Sequence, residues 1–364
     1  MTAVSAISHV DAEGARINLA ADGKAGDKAL TFDAMKTKAQ ATWQRELKSV
    51  RIKGGSTDDR TVFYTALYHA LLQPLTGNDA DGRYRGYDDA IHTARDWTYY
   101  EFFSLWDTYR AQNQLLALIR PERARDIATS VLAIRDQGGW LPRWGYANFE
   151  TNIMTGDPVT PFLVDLWRFG ALKGREAQAY TALRENAFGV PAHGIRPQGR
   201  SGNPNYMKQG FVQYDRSFVS KGMDTDPHHG ASATLEYALA DGALAEMAKA
   251  LGHEDDARVL AQRALNWKTI WDANAVDEPT GQRGFPRPRL IDGSWFADVG
   301  SGFDPRGDHG FHEGTAWQYQ WLAPQDVPGL AAAMGGQAPA LGRLDQFFDY
   351  EAVLADPNAV RNSW

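Results

Sequence analysis

The chain has 364 residues, 43% of them hydrophobic and 23% charged, so it is long enough to bury a large core and has an ordinary globular composition. Its formal net charge of −7 argues against a nucleic-acid partner, no apolar run approaches the roughly 18 residues of a membrane span, and zero cysteines exclude disulfides and thiolate chemistry. Aromatic residues are in excess, with 12 Trp, 14 Tyr and 16 Phe, which indicates either a carbohydrate cleft or a wide aromatic core.

The amino-terminal segment, residues 1–28, lacks a helical period. Residues 6–10 alternate as a strand does, and residues 15–19 fit a strand or a turn. A strand without partners is not stable alone. We therefore predict that residues 1–28 are the tail of a β-domain and a linker.

From residue 29 onward the apolar spacing predicts a mainly α structure. Apolar residues recur every three or four positions from Phe32 to Leu47, and Ser56 or Thr57 is the candidate N-cap of the next helix, which carries Phe63 and Leu67. Further helices are predicted over 101–118, 121–137, 157–172, 175–188, 230–251, 253–273, 314–323 and 337–349. Long glycine-rich and aromatic loops over 139–156, 189–229 and 281–312 separate helical pairs. Helical hairpins alternating with such loops indicate an α/α toroid with a cleft at one end.

Two aromatic segments in the first half carry candidate sugar-binding residues. In the segment 104–110, Trp106 can act as a platform for a sugar ring while Asp107 accepts from hydroxyl groups; the alternative is an ion pair between Asp107 and Arg110 beside a core indole. In 138–144, Arg143 and Trp144 lie in a Gly/Pro-rich loop, where indoles around an arginine favour a ligand-binding role.

Acidic residues mark two further segments. Asp157 precedes a helix, so it is an N-cap candidate whose carboxylate also has access to a ligand. The run Asp-Thr-Asp-Pro-His-His at 224–229 matches no defined calcium or zinc spacing, which favours turn capping or substrate contact over a metal site. In the helix after it, Glu236 is a candidate for the cleft.

The segment 311–321 places one carboxylate, Glu313, among Trp and Tyr residues. In a partly dry aromatic cleft its pKa would rise, as an acid that protonates a glycosidic oxygen requires. The alternative is a buried amphipathic helix whose one acid faces solvent. GxSxG, P-loop, Rossmann and HExxH motifs are missing from the sequence, which removes support for serine-hydrolase, nucleotide and zinc-protease chemistry.

Five motifs in this order resemble those of glycoside hydrolase family 92, the calcium-dependent inverting exo-α-mannosidases, many of them specific for α-1,2 linkages. They are Phe-Tyr-Thr-Ala-Leu-Tyr-His at 63–69, Ser-Leu-Trp-Asp-Thr-Tyr-Arg at 104–110, Gly-Trp-Leu-Pro-Arg-Trp at 139–144, Thr-Leu-Glu-Tyr-Ala at 234–238 and Glu-Gly-Thr-Ala-Trp-Gln-Tyr at 313–319. The resemblance implies an (α/α)6-toroid catalytic domain over 29–364, incomplete at its C-terminus, after a remnant of an N-terminal β-sandwich in 1–28.

The resemblance also implies roles for individual residues and a substrate class. Glu313 would be the general acid, Trp106 and Asp107 would hold the mannose, and Arg143 and Asp157 would line the same cleft. Gln318 would contribute near a Ca²⁺ ion that engages the sugar. The substrate would be a mannose-containing oligosaccharide or glycoprotein glycan. Members are often secreted or periplasmic, and the first residues lack signal-peptide features, so the sequence leaves the location open.

Departures from the family pattern limit these expectations. Thr315 and Gln325 replace residues usual in the family, and the downstream Asn-Glu-Pro-x-His and Gly-Asn-Asp-Asp motifs do not occur. The aspartates of the latter supply the general base and hold calcium in the family, so we expect this chain to be the middle of a mannosidase with little or no activity alone. The alternatives are a non-catalytic carbohydrate-binding protein and another α/α-toroid glycosidase.

Overall fold

The computed structural model describes residues 3–26, 28–215, 217, 226–298, 300 and 302–349. Within these ranges the chain is mainly helical, which confirms the predicted fold class. The toroid and the β-sandwich remnant stay predictions. The helices are α1 Ala12–Gly23, α2 Phe32–Leu47, α3 Thr57–Ala70, α4 Leu105–Thr108, α5 Gln112–Ile119, α6 Pro121–Gly138, α7 Val159–Arg168, α8 Glu176–Phe188, α9 Asn203–Gln209, α10 Gly230–Ala250, α11 Glu254–Arg263, α12 Ala316–Tyr319, α13 Val327–Ala333 and α14 Gln337–Phe347.

Strands in the described part of the chain are short, and their pairings are antiparallel. They are β1 Lys24–Ala25, β2 Lys28–Ala29, β3 Leu75–Thr76, β4 Arg83–Arg85, β5 Ile91–Thr93, β6 Tyr100–Glu101, β7 Phe103–Ser104, β8 Trp144–Tyr146, β9 Phe149–Glu150, β10 Trp271–Asp277 and β11 Gln282–Pro286. The antiparallel sheet β7-β8-β9 has three strands, and the other pairs are β1-β2, β3-β6, β4-β5 and β10-β11. Three 3-10 turns lie at Asp226–His229, Asn266–Ile270 and Pro324–Asp326.

Local capping explains where several helices begin and end. Ser56 is the N-cap of α3, as predicted, and its hydroxyl and the Asp59 carboxylate form a reciprocal capping box. Helix α6 starts with Pro121 and ends at Gly139, whose φ of +79° is left-handed.

Several element predictions were wrong in physically instructive ways. Residues 6–10 form no strand, and residues 15–19 lie in α1, whose N-cap Asp11 accepts from the backbone N–H of Gly14. The helix predicted from 101 begins only after β7, and the helix predicted over 253–273 ends at Arg263 because the chain turns into β10. The sequence analysis did not predict the β10-β11 hairpin, which begins at the end of the predicted helix 253–273 and ends in the predicted loop 281–312. Its antiparallel partners include Trp271 and Pro286.

The chain divides into two compact units. Unit 1 comprises residues 1–151 and 165–179. Its core includes Tyr99, which stacks on Tyr84 with 3.9 Å between ring centroids. Helix α6 packs on α5 and buries Ile127, Val131 and Ile134.

Unit 2 comprises residues 152–164 and 180–364. Its longest helix, α10, pairs extensively with α11 and is buried along most of its length. Tyr206, Val212, Ala233 and Tyr237 form one apolar cluster, in which the two tyrosine rings meet edge-on with 5.2 Å between centroids. Among the described residues, no helix has both the length and the apolar character needed to cross a bilayer.

Candidate active site

The residues singled out from the sequence fall into both units. Unit 1 holds Trp106, Asp107, Arg143 and Trp144. Unit 2 holds Asp157, Glu236, Glu313 and Gln318. Each group is built by its own local framework.

In unit 1 a serine hydroxyl links an indole to an exposed carboxylate. The indole Nε1–H of Trp144 donates to Ser104 Oγ at 2.8 Å, and Ser104 Oγ–H donates to Asp107 Oδ2. Asp107 is exposed, whereas Trp106 and Trp144 are half-buried. Trp106, Asp107 and Trp144 therefore present rings and an acceptor to solvent from one hydrogen-bonded frame, which we call the indole–carboxylate face.

The three-stranded sheet of unit 1 fixes Trp144 in this face. Ser104 pairs with Trp144 across β7 and β8, so the two side chains are neighbours. The carboxylate of Glu150 in β9 is 1% exposed and accepts from the backbone N–H groups of Arg143 at 2.8 Å and Trp144 at 3.1 Å. A Cβ at Gly145 would lie 2.3 Å from the Tyr87 hydroxyl, so this strand needs glycine there.

Trp106 belongs to a cation–π group. The Arg110 guanidinium carbon lies 5.1 Å from the Trp106 ring centroid and 4.6 Å from that of Tyr109. Such stacking holds an indole at a fixed angle, as a sugar platform requires.

Arg143 is buried beside this face. Its side chain is only 5% exposed, and its backbone N–H donates to the Glu150 carboxylate. The backbone of Arg143 therefore supports the strand that carries Trp144, and its contact with a sugar stays a prediction.

Asp157 lies in a buried ion network of unit 2. Its carboxylate accepts from the backbone N–H of Thr160 at 3.2 Å and from the Thr160 hydroxyl at 2.6 Å, which caps the first turn of α7. Arg200 Nε donates to Asp157 at 2.8 Å and Arg200 Nη1 to Asp241 at 2.7 Å, with all three side chains fully buried. These bonds agree with the N-cap interpretation, and the predicted ligand contact of Asp157 stays a prediction.

The network is neutral as a whole. Arg263 Nε also lies 2.8 Å from Asp241, which gives two carboxylates and two guanidinium groups. Burial lowers the pKa of Arg200, but the carboxylates of Asp241 and Asp157 more than offset this effect and raise it above its usual range. The ion pairs of Arg200 therefore join the start of α7 to α10.

Asp226 is another buried acid of unit 2, and it accepts hydrogen bonds from several uncharged donors. Its Oδ1 accepts from Thr155 Oγ1 at 3.2 Å and Gly156 N at 3.0 Å, and its Oδ2 accepts from Ser201 N at 3.0 Å and from the Tyr237 hydroxyl. The carboxylate thereby ties two loops to α10. This role agrees with the predicted turn capping in the segment 224–229, although Asp224 lies outside the described residues.

Glu236 does not open onto a solvent-filled cleft in the described part of unit 2. Its side chain is 1% exposed and packs so closely on Gly156 that a Cβ there would lie 2.4 Å from Glu236 Cβ. Gly156 also has a φ of +79°. The predicted cleft role of Glu236 stays a prediction.

Glu313 sits at a strained turn that exposes its carboxyl group. Its φ of +47° is left-handed, which costs a non-glycine residue roughly 1–3 kcal/mol. Its side chain is exposed, while Phe311, His312 and Gly314 around it are buried. The expected partly dry setting is thus not present, but a strained backbone that presents an acid is typical of functional sites.

The rings of the Glu313 motif form core beneath this turn. Trp317 packs on Phe285 with 5.2 Å between centroids, and Tyr319 packs on Phe311 at 5.6 Å. The Arg343 guanidinium lies over Phe285, and burial lowers its pKa to about 10. These rings therefore support the turn from within the core.

Gln318, the predicted contributor to a calcium site, caps a helix instead. Its Oε1 accepts from the backbone N–H of Thr315 at 2.9 Å, at the start of α12. In the described ranges, no group of three or more histidine or acidic side chains is arranged to hold a metal. Calcium binding therefore stays a prediction.

A histidine and methionine group surrounds the residue before Glu313. His312 Nδ1 lies 3.1 Å from His229 Nε2, which in turn lies 3.3 Å from His228 Nδ1. His312 Nε2 lies 3.1 Å from Met154 Sδ. Pattern analysis of the sequence missed this group because its members come from three separate segments.

Comparison with known proteins identifies the family. The model described as the Glycosyl hydrolase family 92 catalytic domain matches residues 14–362. The chain therefore belongs to glycosyl hydrolase family 92, which confirms the resemblance carried by the five motifs.

Solved structures agree with this assignment. The chain is similar to the GH92 alpha-mannosidase BT3965 of Bacteroides thetaiotaomicron, with 33% identity, a TM-score of 0.76, and coverage of 94% of this chain and 41% of that one. It is also similar to the Inverting Mannosidase BT2199 of the same species, with 28% identity, a TM-score of 0.79, and coverage of 94% and 43%.

A curated relative is an uncharacterized secreted glycosidase of Arthroderma benhamiae, which is 22% identical over 339 residues, or 87% of this chain and 38% of the relative. The chain thus spans about two fifths of the length of the relatives it matches.

Proposed function

We propose that the complete protein hydrolyses terminal α-mannosidic linkages of oligosaccharides or glycoprotein glycans, with Glu313 as the general acid. The observation that carries this proposal is the exposed Glu313 carboxyl, which projects from a strained turn inside the family motif. The family membership and the mannosidase relatives support the substrate class.

The indole–carboxylate face supports sugar binding in this proposal. Rings of Trp106 and Trp144 offer apolar surfaces for the C–H faces of a pyranose, and the Asp107 carboxylate accepts from sugar hydroxyl groups. The alignment of the indole–carboxylate face depends on Ser104, because the Ser104 hydroxyl connects Trp144 to Asp107.

We further propose an inverting mechanism and a preference for α-1,2 linkages, as the family resemblance implies. Inversion requires a base that activates water on the face opposite the acid, with the two carboxyl groups about 6.5–9.5 Å apart. Glu313 would give its proton to the leaving oxygen. The sequence motif that supplies the base in the family does not occur in this chain, so we expect the chain alone to hydrolyse mannosides poorly.

We propose calcium assistance for the complete protein only. Gln318 Oε1 accepts a hydrogen bond at a helix start, so the proposal does not use this residue as a calcium ligand. Chelation of the complete protein with EDTA, followed by re-addition of Ca²⁺, tests the requirement. An unchanged rate after chelation would remove calcium from the mechanism.

Hydrolysis of α-1,2-mannobiose by wild type and Glu313→Gln, followed by proton NMR at early times, tests the acid and the stereochemistry together. We expect β-mannose as the first product, and a loss of several orders of magnitude in the variant, because general acid catalysis contributes about 10²–10⁴-fold. Unchanged turnover in Glu313→Gln would reassign the acid, and α-mannose as first product would rule out inversion.

The same assays separate the alternatives. Mannose binding without hydrolysis by the complete protein, abolished by Trp106→Ala, would identify a carbohydrate-binding protein. Preferential cleavage of glucosides or trehalose would identify another toroid glycosidase. Efficient turnover by this chain alone would refute the expectation that its catalytic machinery is incomplete.

A further inference from the structure

We propose that His312 is a positioning residue that holds the left-handed turn at Glu313 and so aims the acid at the glycosidic oxygen. This inference rests on the proposed function, because it takes Glu313 as the general acid. The group of His312, His229 and Met154 is called the imidazole clamp below.

His312 is fixed at four points. Its backbone N–H donates to Ser232 Oγ at 2.8 Å, and its carbonyl accepts from the Tyr319 hydroxyl at 2.8 Å. Its ring nitrogens lie 3.1 Å from His229 Nε2 and 3.1 Å from Met154 Sδ. The residue is only 6% exposed. Its backbone is held by the buried Ser232 and Tyr319, and its ring contacts the half-buried His229 and Met154.

Glu313 needs such support because its own side chain is exposed. The direction of an exposed carboxyl is set mainly by the backbone that carries it, and that backbone is in a left-handed conformation that a glutamate rarely adopts. Met154, at the other side of the clamp, is also left-handed, with a φ of +67°. The imidazole of His312 thus joins two strained turns, and each stabilises the other.

When the rings are neutral, one arrangement of the ring protons satisfies the clamp. A thioether sulfur accepts hydrogen bonds but does not donate them, so His312 Nε2 carries the proton toward Met154. In a neutral ring His312 Nδ1 is then the acceptor, and His229 Nε2–H is the donor to it. His229 Nε2–H also points near His228 Nδ1, which makes it the shared donor of the group.

Substrates with different leaving groups distinguish a role of His312 in positioning Glu313 from a general loss of structure. A sugar leaving group must be protonated as it departs, whereas 2,4-dinitrophenolate is a good leaving group without protonation. A displacement of about 1 Å in a catalytic group costs about 100-fold. Loss of the clamp should therefore slow disaccharide hydrolysis selectively.

The experiment compares His312→Ala and His312→Asn in the complete protein with α-1,2-mannobiose and 2,4-dinitrophenyl α-mannoside as substrates. We expect His312→Ala to lower kcat on mannobiose about 100-fold, to leave KM unchanged and to keep most of the rate on the aryl mannoside. His312→Asn retains an acceptor near the Nδ1 position, so it should recover part of the loss. His253→Ala is the matched control, since His253 is an exposed histidine of the same unit, stacked on Tyr180.

Equal loss on both substrates would overturn the inference, because that pattern indicates a merely structural role. No loss on mannobiose would overturn it as well. If wild type hydrolyses neither substrate, the proposed function fails.

The clamp itself is tested without activity by ¹⁵N NMR of this chain. A coupling between His229 Nε2 and His312 Nδ1 across the hydrogen bond is expected, and it should vanish in His229→Gln. Its absence from wild type would refute the clamp.

Discussion

Replacing Arg200 with methionine tests whether the buried ion network stabilises unit 2. The substitution removes a guanidinium group that contacts Asp157 and Asp241, all three side chains being fully buried. Arg263 remains on Asp241, so one carboxylate stays without a cation. Removing one partner of a buried pair costs about 3–5 kcal/mol, because an uncompensated charge is left out of water. We expect a loss of this size.

Urea unfolding followed by tryptophan fluorescence measures the change. The same substitution at Arg184 is the control, because Arg184 pairs with Asp256 at 2.6 Å but is half exposed, and such surface pairs contribute about 0–1 kcal/mol. A double variant, Asp157→Asn with Arg200→Met, should recover part of the loss, since it also removes the stranded charge. A cost for Arg200→Met no greater than that for Arg184→Met would refute the reasoning, provided that the denaturant slopes agree.

Three further predictions concern a helix cap, an acid-sensitive pair and the indole–carboxylate face. Ser56→Ala removes the α3 capping box and should cost about 1 kcal/mol of unfolding free energy in urea. Burial raises the pKa of Asp277, but Arg306, 2.6 Å away, outweighs this and keeps it below the ordinary 3.8. Because the folded-state pKa is the lower one, the stabilisation is present above 3.8 and is lost as pH falls through the folded value. Arg306→Met should therefore flatten the acid side of the stability curve. Trp144→Phe removes the donor to Ser104 and should weaken mannoside binding measured by calorimetry, by about 0.5–1.5 kcal/mol.

Each of these three predictions has a control variant and a result that would contradict it. Ser56→Thr keeps a hydroxyl cap and should be nearly neutral; equal losses for both variants would mean that the capping box contributes nothing. Arg258→Met changes an exposed arginine paired with Asp255 and should leave the acid limb intact. An acid limb unchanged in Arg306→Met would refute the Asp277 assignment. For the face, Tyr146→Phe alters an exposed ring of the same strand, and binding equal to wild type in Trp144→Phe would show that the serine link is dispensable.

Local signals predicted much of the helical framework. The hydroxyl of Ser56 before an apolar-periodic run, and the spacing from Phe32 to Leu47, were sufficient to place α3 and α2. The β10-β11 hairpin was missed, although the Thr280-Gly281 turn between its strands is a recognisable signal; the helical period of the preceding residues had more weight.

The candidate site was predictable only where its residues are adjacent in sequence. Trp106 and Asp107 were found as a pair, but their link to Trp144 through Ser104 spans 40 residues of chain. Arg200 gave no signal, because arginine is usually exposed and its carboxylate partners lie more than 40 positions away. The burial of Asp157 and Glu236 was not predictable for the same reason: residue type indicates chemistry, but only tertiary packing decides burial.

The left-handed backbone at Glu313 has a consequence for protein engineering. Glycine or asparagine fits that conformation better than glutamate does, so a search for more stable variants should select them at this position. Such variants would tolerate heat better while losing the proton donor. At Glu313, the residue that would favour stability therefore differs from the residue that the proposed chemistry requires.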